Sequence, residues 1–123
     1  MIPISEWGKD HWSTFAYIET RIVDYRGEPD REQMRCDPKI HPHYANTANR
    51  SFPDSRYPTL LKTRGVWSHD DWSCLEDAVE AGLLIEKGTG LNPIYALTDY
   101  GKVVISKLRE WKAAGNNFKD FTL

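Results

Sequence analysis

The fold of this chain is decided by the stretch SHDDWSCLEDAVEAGLLIEKGTGLNPIYALTDYGKVVISKLREWKA, which runs from residue 68 to residue 113. It begins with a capping-box pattern, in which Ser68 would cap a helix and Asp71 follows three residues later. Gly82 is well suited to the left-handed conformation that commonly ends a helix. Between these signals the apolar residues recur on one helical face, at Trp72, Leu75, Val79 and Leu83. The sequence therefore predicts a helix over residues 68–81.

Two strands and a further helix are predicted next. Residues 83–86 and 94–97 are short runs rich in apolar residues, and the intervening loop contains two glycines, as is common in hairpins. Thr98 is placed to cap a helix that ends near Gly115 and has its apolar positions at Val104, Leu108 and Trp111. The order helix, strand, loop, strand, helix indicates an α+β domain.

The N-terminal half has weaker signals. Asp10 is a candidate helix cap, and apolar residues follow at helical spacing at Phe15, Ile18, Ile22 and Tyr25. A helix is therefore expected here, although residues 14–23 are also rich in strand formers and leave a long strand as the alternative. Short helices are predicted over residues 30–35 and 59–63. The segment 37–58 carries four prolines and is predicted to be irregular, and the tail is expected either to pack Phe118 and Phe121 or to fray.

Composition places limits on the class of protein. A chain of 123 residues with 40% hydrophobic and 28% charged residues is typical of one small globular domain. No apolar run approaches the ~20 residues that a bilayer span needs, so no membrane partner is expected. The start lacks the pattern of a secretion signal. Cys36 and Cys74 are therefore expected to be free thiols in the cytoplasm.

Charge is distributed unevenly along the chain. The formal net charge is −2, but residues 35–67 carry about +4 and residues 68–123 about −3. A polyanion should therefore meet the middle segment first. The cationic and aromatic side chains that form the best candidate binding surface are Arg50, Arg56, Tyr57, Lys62, Arg64 and Trp67.

Residues 68–113 resemble the second half of a winged-helix domain. The phrases EAGLLI at 80–85 and ALTDYGK at 96–102 are similar to those of bacterial winged-helix proteins, in which a glycine-leucine pair follows the recognition helix and a leucine-threonine-x-x-glycine segment opens the last helix. The resemblance implies a two-stranded wing. The N-terminal run WGKDHWSTFAYIETR at 7–21, with Met34-Arg35-Cys36, resembles small uncharacterised proteins of bacteriophage genomes, which have no assigned chemistry.

The helix that would read DNA in a winged-helix domain is acidic here. Recognition helices put Arg, Lys, Asn or Gln on base edges, whereas residues 65–86 contain neither Lys nor Arg. The carboxylates of this helix would repel phosphates, so they are predicted to be a solvated capping face or an acidic surface for a protein partner: Asp70, Asp71, Glu76, Asp77 and Glu80.

Metal and catalytic motifs are weak. Cys36, His41 and His43 lie within eight residues, but their spacing matches no zinc signature, and His11, His69 or Cys74 could complete a site only if folding brought it close. The sequence contains no nucleophile elbow, P-loop or dinucleotide fingerprint. No cofactor is expected, and catalysis is not favoured.

Three functions remain open. The leading interpretation is a non-catalytic accessory protein of bacteriophage type that acts in the host cytoplasm by occupying a host protein or protein complex, such as one in defence or transcription. The second is a nucleic-acid-binding protein that uses residues 50–67 and the wing. The third is a nucleotide or small-molecule pocket, which could be catalytic, near His11, Arg21, Arg35 and His69.

Overall fold

A computed structural model describes residues 1–29, 34–35, 58–88 and 93–123, which form a mixed α+β arrangement of three helices and two small antiparallel sheets. In chain order these elements are α1 (Lys9–Tyr25), β1 (Thr59–Leu60), β2 (Gly65–Val66), α2 (Asp71–Glu80), β3 (Leu84–Glu86), β4 (Tyr95–Leu97) and α3 (Asp99–Ala113). Strand β1 pairs with β2, and β3 pairs with β4. No helix in the described ranges has the length and apolar character needed to cross a bilayer.

The N-terminal helix is confirmed, and the strand alternative is wrong. Helix α1 buries Trp12, Phe15 and Ile18, which lie on one face because they are three residues apart. It begins one residue before the predicted cap, because Gly8 occupies the cap position without a side-chain hydrogen bond. The Asp10 carboxylate instead accepts a hydrogen bond from the backbone of Leu60.

Helix α2 begins later than predicted. Asp70, and not Ser68, caps it, with its Oδ1 accepting hydrogen bonds from the Ser73 backbone N–H at 2.9 Å and the Ser73 hydroxyl at 3.1 Å. Ser68 cannot act as the cap because it lies in a left-handed turn before the helix, with φ of 60°. Gly82 ends the helix as predicted, with φ of 80° and the two backbone hydrogen bonds of a Schellman motif around it.

The last strands and helix confirm the pattern read from residues 83–113. Leu84 pairs with Leu97 and Glu86 with Tyr95 across the β3–β4 sheet. Thr98 caps α3, because its hydroxyl accepts a hydrogen bond from the Gly101 backbone N–H at 2.9 Å. The α+β class is therefore established for the described residues.

Other local predictions need correction or lie outside the described residues. Residues 59–63 do not form a helix: Thr59 and Leu60 pair as strand β1 with Val66 and Gly65. Met34 and Arg35 are not helical, while the remainder of the predicted helix at 30–35 and nearly all of the proline-rich segment 37–58 lie outside the described residues.

The core lies between the helices and the β3–β4 sheet, and aromatic rings fill much of it. Trp12 meets Phe121 edge to face, with ring centroids 4.7 Å apart, and Trp111 also meets Phe121 edge to face, with centroids 6.0 Å apart. The tail therefore packs onto α1 and α3 and does not fray. The buried apolar side chains are Trp7, Trp12, Phe15, Ile18, Met34, Leu61, Trp72, Cys74, Leu75, Ala78, Leu83, Leu84, Tyr95, Val104, Ile105, Leu108 and Phe121.

Candidate functional site

A polar cluster is buried where α1 meets α2. Helix α1 contributes His11, which lies on its buried face because it precedes Phe15 by one helical turn. Helix α2 contributes Cys74 and Asp77, and the turn before it contributes His69. His11 is 1% exposed and Asp77 is 2% exposed, so water is largely excluded from the contact between them.

One carboxylate oxygen holds both imidazoles of this cluster. Asp77 Oδ2 lies 2.7 Å from His11 Nε2 and 2.8 Å from His69 Nε2. Because an ionised carboxylate only accepts hydrogen bonds, each Nε2 must carry the proton and donate it. The His11 ring is fixed further by Trp7, which stacks on it with centroids 4.8 Å apart. Both histidines are therefore orientated by their Nε2 atoms, and their Nδ1 atoms face away from the carboxylate.

The electrostatics of the cluster favour a carboxylate beside a neutral thiol. Burial alone would raise the pKa of Asp77, but the hydrogen bonds from His11 and His69 outweigh it and lower this pKa to about 2. Burial raises the pKa of the Cys74 thiol well above its ordinary value, and the charges of Asp71, Asp10 and Asp77 add to the effect. Cys74 is therefore a protonated thiol at neutral pH, which is a poor nucleophile.

A second network surrounds Arg35. Its guanidinium lies 2.9 Å from Asp71 Oδ1 and 3.1 Å from Asp10 Oδ1, so it bridges the start of α2 to the start of α1. The backbone N–H of Arg35 also donates to Asp71 Oδ2 at 2.8 Å, and its carbonyl accepts from the Asp71 backbone N–H at 3.0 Å. Burial raises the pKa of Asp71 in spite of these Arg35 hydrogen bonds. This network ties residues 34–35 to both helices.

The structure reduces the expected acidic surface on α2. Asp77 is buried against the two histidines and cannot face a partner. Asp71 binds Arg35, and Asp70 caps the helix, so both already have structural roles. Glu76 and Glu80 are the two of the five predicted carboxylates that lie exposed.

The four residues of the predicted small-molecule pocket do not converge. His11 and His69 do meet, with ring centroids 5.3 Å apart, and Arg35 belongs to the adjoining network. Arg21 lies ten residues after His11 on α1, a distance of about 15 Å along the helix axis, and donates to the Glu28 carbonyl at 2.8 Å. The structure thus supports a two-histidine cluster in place of the four-residue pocket.

The described part of the cationic surface is the β1–β2 hairpin. Trp67 is 61% exposed and Leu60 is 46% exposed, with Lys62 and Arg64 exposed between them. Lys62 Nζ donates to the Thr122 hydroxyl at 2.9 Å, and Arg64 lies 3.8 Å from a Glu6 carboxylate oxygen. Of the other predicted members, Arg50, Arg56 and Tyr57 lie outside the described residues, as do Cys36, His41 and His43.

A cleft of about 370 Å³ opens beside this hairpin. Three lysines from three separate segments line it, together with Leu60, Leu61, Asp120 and Thr122; they are Lys9, Lys62 and Lys119. No sequence window could reveal this grouping, because Lys9 and Lys119 lie near opposite ends of the chain.

The central role of Asp77 could not be derived from the sequence either. Its position in the sequence suggested an acidic helix face. Its hydrogen-bond partners are His11, 66 residues earlier, and His69, 8 residues earlier. His11 did carry a usable signal, since it falls on the apolar face of α1.

Comparisons with protein-family models, curated proteins and solved structures find no match to this chain, so its site is interpreted from its own geometry.

Proposed function

We propose that this chain is a non-catalytic accessory protein of bacteriophage type, which binds a macromolecule of its bacterial host and blocks that molecule's function. The hairpin β1–β2 is the docking surface. One observation carries the proposal: Trp67 and Leu60, both large and apolar, are exposed on a hairpin that also presents Lys62 and Arg64. Tryptophan and arginine are among the side chains most enriched at the energetically dominant positions of protein interfaces.

The hairpin is held in place from beneath, as suits a docking element. The Leu60 backbone N–H donates to Asp10 Oδ2 at 2.6 Å, and the Lys62 backbone N–H donates to the Glu6 carbonyl at 3.1 Å. The Thr59 hydroxyl donates to the His69 carbonyl, and the Leu61 side chain is buried. A surface that is already ordered loses less conformational entropy on binding, which favours affinity.

The buried cluster supports a non-catalytic function. Cys74 is a protonated, buried thiol, and Asp77 is committed to two histidines. A general base needs a free lone pair within reach of a substrate proton. Neither side chain offers one at the protein surface, and the unpaired lone pair of His11 Nδ1 is fully buried.

The winged-helix architecture is part of the proposal. Helix α2, strands β3 and β4 and helix α3 follow one another in the order that this architecture requires. In this interpretation α2 is a scaffold and does not read a DNA groove, because three acidic side chains in it or at its cap bind within the protein: Asp70, Asp71 and Asp77. The partner is then a host protein, such as one in defence or transcription, with an apolar pocket and acidic groups at its rim.

Replacing Trp67 with alanine tests the docking surface. We expect W67A to weaken binding to the host partner at least about tenfold, because truncating a central interface tryptophan typically costs about 2 kcal/mol or more. The partner is first captured from nuclease-treated host lysate with the wild-type protein and identified by mass spectrometry, and affinities are then measured with the purified partner.

The matched control is Tyr100→Ala, since Tyr100 is a similarly exposed aromatic residue (48%) at the start of α3. Tyr100→Ala should retain the wild-type affinity, and both variants should keep the wild-type unfolding temperature. Equal binding by W67A and the wild-type protein would exclude the hairpin as the docking surface.

The lysine cleft favours nucleic acid as a second candidate partner. Lys9, Lys62 and Lys119 could bind successive phosphates while Trp67 stacks on a base. Removing one lysine–phosphate interaction should reduce the slope of log affinity against log salt by about 0.7 to 0.9. Charge reversal of all three lysines is therefore expected to reduce that slope by about 2 or more in a titration with single-stranded oligonucleotides.

Lysines on the outer face of α3 provide the control for this test. Each of the substitutions Lys102→Glu and Lys107→Glu changes the net charge as much as one charge reversal in the cleft. These two side chains, however, lie exposed on α3 and do not line the cleft. They should leave the salt slope nearly unchanged. Binding that is absent, or that does not depend on salt, would remove nucleic acid as the partner.

A further inference from the structure

We infer that His11, His69 and Cys74 form a binding site for a Zn²⁺ ion, with Asp77 orientating the two histidines. One ligand atom from each of these three residues lies within 4.8 Å of the other two. The side chains come from α1, from the turn before α2 and from α2 itself, so an ion bound there would join the two helices. The sequence alone predicted no metal, because His11 lies 58 residues before His69 and only the fold brings it close to His69 and Cys74.

The ligand atoms need only a small adjustment to bind an ion. Zinc bonds of about 2.0 Å to nitrogen and 2.3 Å to sulfur place tetrahedral ligands about 3.5 Å from one another. The Cys74 sulfur already lies 3.8 Å from His69 Nδ1. The two imidazoles keep their contacts to Asp77, so the remaining separations close by rotation of the Cys74 side chain and a small shift of α1 relative to α2.

Asp77 makes the contact that zinc-binding histidines usually make with their second nitrogen. A metal-bound histidine commonly donates its other ring N–H to a carboxylate, which fixes both its tautomer and its orientation. Here Asp77 accepts from Nε2 of both His11 and His69. In a neutral ring the unprotonated nitrogen is then Nδ1, and this nitrogen can coordinate a metal.

His11 provides the observation that hydrogen bonding alone does not explain. Its Nδ1 is fully buried and has no hydrogen-bond partner among the described residues. Buried polar nitrogens are nearly always paired, because an unpaired one costs about 1 to 3 kcal/mol. A purely structural His–Asp–His network would explain the Nε2 contacts and would leave this nitrogen unpaired.

The ligand set selects zinc among the common divalent ions. Imidazole and thiolate are ligands that Zn²⁺ prefers, whereas Mg²⁺ and Ca²⁺ prefer oxygen. On binding, the Cys74 thiol transfers its proton to solvent, its sulfur forms the bond to zinc, and one metal-bound water leaves. A remaining metal-bound water completes the tetrahedral coordination.

The test begins with wild-type protein that has been purified without a metal-affinity tag and stripped with a chelator. Addition of Zn²⁺ should give one tightly bound ion per chain by elemental analysis. Co²⁺ in its place should give the charge-transfer absorption of a cobalt–thiolate bond, and X-ray absorption at the zinc edge should show one sulfur ligand. Failure to bind zinc in a one-to-one ratio, or a bound metal without sulfur, would overturn the inference.

Variants then identify the ligands. C74S and His69→Asn should weaken zinc binding by about a hundredfold or more, and D77N, which changes the orientating carboxylate, by about ten- to a hundredfold. The matched controls C36S, His41→Asn and His43→Asn should retain the wild-type affinity. Loss of zinc in C36S with retention in C74S would place the site elsewhere. Should C74S fail to fold, the spectra of the wild-type protein still decide the question.

Discussion

Replacing Asp77 with alanine is expected to lower the free energy of unfolding by about 3 kcal/mol or more. The substitution removes the acceptor of two hydrogen bonds and leaves the Nε2 donors of His11 and His69 without a partner. Each buried donor left unpaired costs about 1 to 3 kcal/mol, and the His11 donor lies where water does not reach. Denaturant unfolding of the chelator-treated protein measures the loss without any contribution from bound metal.

The control for Asp77→Ala lies on the same helix. Glu80→Ala removes an exposed carboxylate one helical turn later, and surface substitutions of this kind usually change stability by less than about 0.5 kcal/mol. A loss of less than about 1 kcal/mol in Asp77→Ala would mean that the histidines find other partners. The buried cluster would then not be a main source of stability.

Replacing Gly101 with alanine should also be strongly destabilising, by about 2 kcal/mol or more. In an ordinary helix position this change gains about 1 kcal/mol, because alanine is the better helix former. At Gly101, however, a Cβ atom would lie 2.0 Å from the Leu83 carbonyl oxygen and 2.9 Å from its carbonyl carbon. Backbone must therefore move, and the Leu83 oxygen also accepts a hydrogen bond from the Thr98 backbone N–H at 3.1 Å.

Ser106→Ala serves as the comparison within α3. Ser106 is exposed in the interior of the helix, so alanine there should be neutral or slightly stabilising. If Leu83 approaches Gly101 as closely as described, the two variants should change the unfolding temperature in opposite directions. Stabilisation by Gly101→Ala would contradict that packing.

The effect expected at Gly101 explains the threonine-x-x-glycine segment that opens α3. Thr98 caps the helix and Gly101 donates the capped N–H, while its missing side chain lets the chain just before β3 approach. In this segment Thr98 provides a local capping signal, and Gly101 meets a packing requirement. Only the cap could be derived from the sequence, because the Leu83 carbonyl approaches Gly101 from 18 residues away.

Hydrogen bonds link the two polar networks to the proposed docking surface. Asp10 binds both Arg35 and the Leu60 N–H, and the His69 carbonyl accepts from the Thr59 hydroxyl. The hairpin that presents Trp67 therefore rests on the same residues that form the two polar networks. We expect changes in these networks to act on docking through the position of the hairpin.

The sequence by itself determined the α+β class and the order of α2, β3, β4 and α3. It could do so because caps, glycine stops and apolar spacing act over a few residues, as at Thr98 and Gly82. The helix at 59–63 was wrong because five residues carry too weak a signal to oppose pairing between β1 and β2.

Only the tertiary structure decided what the charged residues do. Asp77 changed from a surface carboxylate to the centre of a buried cluster because His11, 66 residues away, packs against it. Folding likewise brings three lysines from distant segments into one cleft: Lys9, Lys62 and Lys119. A local pattern specifies which face of an element is apolar, but the partner of a polar side chain depends on which distant segment folding places beside it.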